Sequence, residues 1–245
     1  NVSIPELARA AETDRYSIIV PETVYVNLEG SLKEGVSVMD AALAFLAEDH
    51  ELNRRAVEIY APSFDAHEKA VFCSMACITG AFTASITEEK QSAGLTLNLA
   101  TVEPMVMLPC GDRNDQKKAG IAPGASKAGM ELNAGQIGGY TGGTIEELRK
   151  AASMLDGHKL ALGFRLSICP ATSRDYIQAA EEGILTKFID FGAQINAAGD
   201  HSVVIQGRLV TTGLYTFAGS MGCDDAEVYT GSVETVMNAS FAKQM

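Results

Sequence analysis

The sequence predicts an α/β fold: two units of mostly parallel sheet flanked by helices, residues 1–100 and 101–245. Three observations carry this prediction. Short apolar strands alternate with helical segments, the rhythm of βαβ units whose helices lie on both faces of a sheet. Polar capping residues open several of the helical segments. The chain of 245 residues is 47% apolar and 20% charged, enough for one large or two medium domains with a real core.

The elements follow in order. SIPE at 3–6 has the form of a capping box and opens a helix to about Thr13. ETVYVNLEG (22–30) alternates Val24, Val26 and Leu28 with polar residues, as a half-buried strand does. Ser37 caps an amphipathic helix running to about Glu48, and RAVEIYA (55–61) is a strand. His67 to Ala84 reads as one long, mostly apolar helix, and Glu88 to Leu99 as a linker. PMVML (104–108) is a strand followed by a loop, with Met105 and Met107 in the core. Leu132 to Gly138 is a strand that runs into GGYTGG and then a helix from Thr144, boxed by Glu147. FRLSIC (164–169) is a strand, Ser173 to Glu182 a helix and Ile184 to Phe191 another. Short strands near Val203 and Val210, the strand EVYTG (227–231) and a helix from Ser232 complete the chain.

The formal charge of −12 argues against nucleic acid, which needs a clustered Lys/Arg surface, and fits a cytoplasmic protein. No apolar run reaches the roughly 20 residues of a membrane helix. Cys73, Cys77, Cys110, Cys169 and Cys223 lie in apolar or strand-like surroundings and read as buried thiols. None forms a C-x-x-C pair.

The glycine corner from Gly138 to Gly143 has the spacing of a phosphate-binding loop, but Thr144 stands where that loop needs lysine. It is either a tight turn or a helix N-terminus offering N–H groups to a small anion, with Thr141 and Thr144 adding hydroxyls. Asp200-His201 could serve as an acid/base pair or half a metal site, or be a solvated loop pair. Thr172-Ser173-Arg174 caps a helix, or binds an anion through the fork of Arg174. Cys110-Gly111-Asp112 follows a strand, where α/β sheets place ligands. His50, His67 and His158 read as surface residues.

Several stretches together resemble the aconitase and isopropylmalate dehydratase large-subunit family. VPETVYVNLEGSLKEGVSVMDA (20–41) is similar to its V-P-E-T-h-x-V-x-L-x-G segment, and VEIYAPSFDAHEKAVFCSMACITGA (57–81) to its V-E-F-Y-G and C-N-M-A. TVEPMVMLP (101–109) and AEVYTGSVETV (226–236) resemble its L-E-P-M-V-A-L-P and S-E-V-Y-L-A-S-P-A-T. The resemblance implies the second and third α/β domains of a family that dehydrates and rehydrates hydroxy acids with a [4Fe–4S] cluster. It also implies a companion chain carrying the first domain and possibly the swivel domain, since Asn1 matches a point inside the family's large subunit.

The departures from the family are specific. Its first cluster cysteine, in S-C-T-N-G, falls at Tyr140, and INAAGDHSVVIQG (195–207) has no cysteine where C-G-P-C belongs. Tyr215 and Ser220 stand where substrate arginines belong. Ser74 replaces the asparagine of N-M-x-x-E, and Ile78 its glutamate. The resemblance then implies no cofactor and a metal-independent lyase or isomerase acting on a small, carbonyl-containing or natural-product-like substrate. Tyr140, His201 and Asp200 are its candidate catalytic groups. Ser74, Thr141, Thr144, Thr172, Ser173, Tyr215 and Ser220 are its candidate binding groups. The alternative is a non-catalytic subunit that completes a hetero-oligomer.

Overall fold

The computed structural model describes residues 3–48, 50–109, 120–199, 212–216 and 227–245. α1 (Ile4–Thr13) precedes a first sheet made of β1 (Thr23–Glu29), β2 (Ala56–Tyr60), β3 (Thr83–Thr87) and β4 (Leu95–Asn98). Its order is β3-β2-β1-β4 and every pairing is parallel. The register sets Val24 beside Val57 and Val26 beside Ile59, so these side chains share a face. α2 (Val38–Ala47) and α3 (Ala66–Ala76) pack there into one core. Among the described residues these two helices cover a single face of this sheet, where the alternation predicts both.

Three sequence expectations change in this half. α2 is not amphipathic: Val38 to Leu43 and Phe45 are all buried, because the helix is enclosed between the first sheet and the start of the second. The long helix from His67 stops at Ala76. Gly80, at φ +86°, ends the turn that follows, and Thr83, Ile86 and Thr87 go into β3. Alanine-rich sequence concealed that boundary, and β-branched residues after the glycine explain it. The linker supplies β4, with Leu97 inside the core. Asn27 closes the turn before β4, donating to the Gln91 carbonyl at 2.8 Å and accepting its N–H at 3.2 Å.

The second sheet contains β5 (Met105–Met107), β6 (Ile121–Pro123), β7 (Ala134–Gly138), β8 (Arg165–Cys169), β9 (Gln194–Ile195), β10 (Thr212–Tyr215) and β11 (Glu227–Gly231). Their order is β6-β5-β11-β10-β7-β8-β9, parallel except where β5 pairs with β11 and β6. α4 (Ile145–Ser153), α5 (Ser173–Glu181), α6 (Ile184–Phe191) and α7 (Val233–Ala242) accompany it. Leu148, Phe164, Ile168, Phe188 and Val236 centre its core. Each such side chain contributes roughly 1.5–3 kcal/mol by burial. The sheets divide between Asn98 and Met105, yet Met105 and Met107 pack into the first core. The strands expected near Val203 and Val210, and the Cys110-Gly111-Asp112 loop, lie outside the described residues, though β10 begins just beyond Val210.

This topology fixes where a ligand belongs. From β7 the chain moves to β8 and β9 on one side, then returns to β10 and β11 on the other. The reversal lies between β7 and β10, and crevices at such reversals, outside the strands' carboxyl ends, are where α/β sheets bind ligands.

Candidate functional site

The glycine corner occupies that position. After Gly138, the N–H of Gly143 donates to the Gly139 carbonyl at 2.7 Å, with Gly139 at φ +70°. The Gly143 carbonyl in turn accepts from Ala171 N–H at 2.8 Å, which locks the corner to the loop after β8. A Cβ on Gly142 would lie 2.2 Å from Thr216 Oγ1, and one on Gly143 would lie 2.5 Å from the Cys169 carbonyl oxygen. The glycines are therefore required by the protein's own chain, which approaches from two sides.

Thr216 is the residue that sequence reasoning missed. It follows β10 and is fully buried. Its Oγ1 accepts from Gly138 N–H at 2.9 Å and donates to the Gly138 carbonyl at 2.8 Å. Its own carbonyl accepts from the Thr141 hydroxyl. The signal in the sequence was faint, a lone threonine after a short apolar run.

α4 is capped from outside its own sequence. Thr144 sits at the N-cap with an extended backbone, but its side chain makes no cap bond. The capping box expected with Glu147 does not form. Asp175 Oδ1 accepts instead from Ile145 N–H at 3.0 Å, while its Oδ2 accepts from the N–H and hydroxyl of Thr172 at 3.1 and 2.5 Å. One carboxylate thus serves the starts of both α4 and α5. Of the two readings of this corner, the one with a small anion meets a carboxylate of the protein itself in that position, and negative charge there also suits the helix dipole. Thr172 is committed to the α5 cap, and Thr141 is buried and committed to Thr216.

Tyr140 differs from its neighbours, being 42% exposed amid buried chain. Burial pushes its hydroxyl above the ordinary value, and the nearby Cys77 adds to the shift, so the phenol stays protonated at neutral pH. Cys77 caps the end of α3, which brings that helix's last turn to the corner; half-buried Ser74 lies on the same helix. Cys73, one turn earlier, is pushed up to about 11 by burial first and Cys77 second. Cys77 is exposed rather than the buried thiol that its sequence setting predicts, yet its partial burial raises it as well, against a hydrogen bond from the Ala84 backbone.

An iron–sulfur cluster is held by thiolates, and among the described residues the corner offers a phenol beside thiols whose pKa values burial raises. Cys169 is enclosed at the end of β8, its Sγ 3.4 Å from the Ala197 carbonyl. Among the described residues no group of three His, Cys, Asp or Glu is arranged to hold a metal ion.

Behind the corner lies a set of charged groups joining the two halves. His67 at the start of α3 is no surface residue: its Nε2 lies 3.1 Å from Glu147 Oε1 on α4. That bond raises the imidazole above its ordinary value, burial opposing it. His50 is half-buried with its ring on Phe45, whereas His158 is exposed as its sequence setting predicts, its ring stacked on Phe241 at 4.1 Å. Asp40 is fully buried and accepts from Ser37 N–H and Oγ–H at 2.9 and 2.8 Å and from Met105 N–H at 2.8 Å. Lys150 on α4 pairs with Glu234 on α7.

The structure therefore gathers Tyr140, Thr141 and Thr144 at one corner, with Thr172 and Ser173 at the adjoining helix start and α3 alongside. Tyr215 lies in β10 next to β7 in the sheet. Asp200, His201 and Ser220 lie outside the described residues.

No family model matches the chain. It is 31% identical over 224 residues to the 3-isopropylmalate dehydratase large subunit 2 of Pyrococcus furiosus, a match covering 86% of this chain and 57% of that protein. It is 28% identical over 260 residues to the homoaconitase large subunit of Thermus thermophilus, covering 93% and 61%. The chain thus spans about three-fifths of the length of these relatives. Among solved structures, the holo-form of Thermococcus kodakaraensis aconitase X matches 90% of this chain and 55% of its own, with TM-score 0.55 and 11% identity. That likeness concerns the fold.

Proposed function

This chain belongs to the aconitase family, and from that premise we propose that it forms part of a lyase or isomerase whose corner after β7 works without an iron–sulfur cluster. The observation that carries the reading is Tyr140: a half-exposed, protonated phenol at the sheet's reversal point. Such a group donates a hydrogen bond or a proton, and it does not replace a Lewis acid. A substrate with a hydroxyl beta to a carbonyl suits it, because the carbonyl makes the neighbouring C–H acidic.

In this scheme His201, with Asp200 as the other acid/base candidate, takes the proton alpha to the carbonyl, and the electron pair moves onto the carbonyl oxygen. Tyr140 stabilises that oxygen with its O–H. The enolate then re-forms the carbonyl, the alpha–beta double bond forms, and the beta hydroxyl leaves as water with a proton from the imidazolium. Ser74, Thr144, Ser173, Tyr215 and Ser220 supply hydrogen bonds to the substrate. The active assembly includes a companion chain that provides the rest of the family fold.

The test uses the assembled protein purified anaerobically from its own host. Iron and acid-labile sulfide should be absent, and stoichiometric iron would sink the reading. Tyr140→Phe should lower dehydration of β-hydroxy carbonyl compounds by roughly 10²–10⁴-fold, the range for a lost general acid. A second reading, a non-catalytic subunit, is favoured by one observation: Thr141, Thr172 and Asp175 are all committed to internal bonds. Undiminished turnover in both Tyr140→Phe and His201→Ala would select it.

A further inference from the structure

α3 carries a pair of thiols that the scheme above leaves unused. Cys73 and Cys77 stand four positions apart, and Cys77 continues the helical course at φ −70°, ψ −16°. Side chains at i and i+4 lie on one face of a helix, one above the other. Cys73 is half-buried at the rim of the first core, and Cys77 is exposed at the helix end.

Two contacts fix where this face looks. At the start of the helix, His67 Nε2 lies 3.1 Å from Glu147 Oε1 on α4. At its end, Cys77 lies beside Tyr140 of the glycine corner, close enough for their charges to repel. Ser74, seven positions after His67, falls on the strip between the two contacts. The face therefore runs along the second unit, and two thiols from one half meet a phenol from the other. The Ala84 backbone N–H donates to the Cys77 sulfur and holds it in place.

The spacing selects what such a group can hold. Cβ atoms at i and i+4 are about 5–6 Å apart, whereas a disulfide needs about 3.5–4.5 Å. That separation suits an ion shared by both sulfurs, each at about 2.3 Å if the ion is zinc. Paired histidines use the same helical spacing to bind zinc, and thiolates favour soft ions over magnesium or calcium. Among the described residues no three His, Cys, Asp or Glu groups converge to hold a metal, so a third donor is of another kind. Tyr140, 42% exposed beside Cys77, supplies an oxygen and leaves a fourth position to water.

We propose that Cys73, Cys77 and the Tyr140 hydroxyl oxygen form a site for a thiophilic divalent cation of the zinc class. Each thiol gives its proton to water as its sulfur–metal bond forms. Filling the site makes the Tyr140 oxygen a ligand and ends its service as a proton donor. That consequence, and not the site itself, rests on the acid role given to Tyr140 above.

The test titrates the assembled protein, reduced and stripped of metal, with cadmium as the spectroscopic probe. The expected result is a thiolate-to-cadmium absorption band that saturates at one ion per chain and is displaced by zinc. Cys73→Ser and Cys77→Ser should each weaken binding by about 10²-fold or more, beyond the 10–100-fold range of outer-shell changes, and Tyr140→Phe by about tenfold. Should a serine variant fail to fold, the native protein decides: zinc should protect Cys77 from iodoacetamide, read by peptide mass spectrometry, and magnesium should not. An ion held equally well by Cys77→Ser is adventitious and overturns the proposal, as do a missing band and an unprotected Cys77. Turnover unchanged with the site filled removes the acid role of Tyr140 and leaves the ion site standing. Turnover lost in Tyr140→Phe, with no ion bound by the native protein, does the reverse.

Discussion

The corner after β7 and the segment around α1 present equally clear local signals, four glycines in one case and a complete capping box in the other. Their surroundings are opposite. At the corner, every glycine that matters is hemmed in by Thr216, Cys169 or the Ala171 backbone. Around α1, the box is satisfied and no side chain of the helix is buried. Local chemistry sets the shape of a segment in both places. Whether it is covered is decided elsewhere in the chain.

The sharpest way to break this comparison is to add a methyl group to the tight side. Gly143→Ala should cost about 3 kcal/mol or more, since its Cβ would meet backbone atoms that cannot step aside. Denaturant melts measure it, and a cost below about 1 kcal/mol would mean that the corner is looser than described. Ile19→Asp, on the open side, should change the stability of the isolated chain by no more than about 0.5 kcal/mol.

An intermediate effect is expected at Asp175. Asp175→Ala removes the acceptor for both Ile145 and Thr172, and should cost about 2 kcal/mol, more than an ordinary N-cap. Asp175→Asn should recover part of it. If the two substitutions are equally mild, the carboxylate does not serve two helices.

The smallest effect is a pH dependence. The His67 pKa is raised in the folded state above its ordinary 6.5 by Glu147. Its ion pair therefore adds stability that is complete below 6.5 and fades as pH rises through the higher folded value. Stability measured across that window should slope downward for the native chain and lose this component in His67→Gln. An unchanged slope in the variant would dismiss the pair.

Much of the fold was legible because its signals are local. Ser3, Ser37, Thr172 and Ser232 each cap the helix that their sequence announces, and the β1, β2, β7, β8 and β11 segments carry their own apolar patterns. The failures arose where a distant residue decides. The cap of α4 comes from 30 positions away, so Thr144-x-x-Glu147 looked like a box while Glu147 was turned to His67. α2 read as amphipathic because its second covering surface, β5 and β6, lies more than fifty residues later. The corner was legible as a place and not as a mechanism. Its glycines suggested a ligand near the backbone, whereas the backbone's neighbour is Thr216. Family likeness singled out Tyr140, and the structure adds that this side chain alone of the corner's hydroxyl residues is exposed, at 42%, beside a cysteine that no motif flagged.

Asp175 has one further consequence, for motion. Because a single carboxylate closes the first turns of α4 and α5, neither start can fray without loosening the other. The two turns should open as one cooperative unit, so the amides of Ile145 and Thr172 would exchange hydrogen at matched rates. The start of α4, a few residues after Tyr140, thus shares one latch with the start of α5.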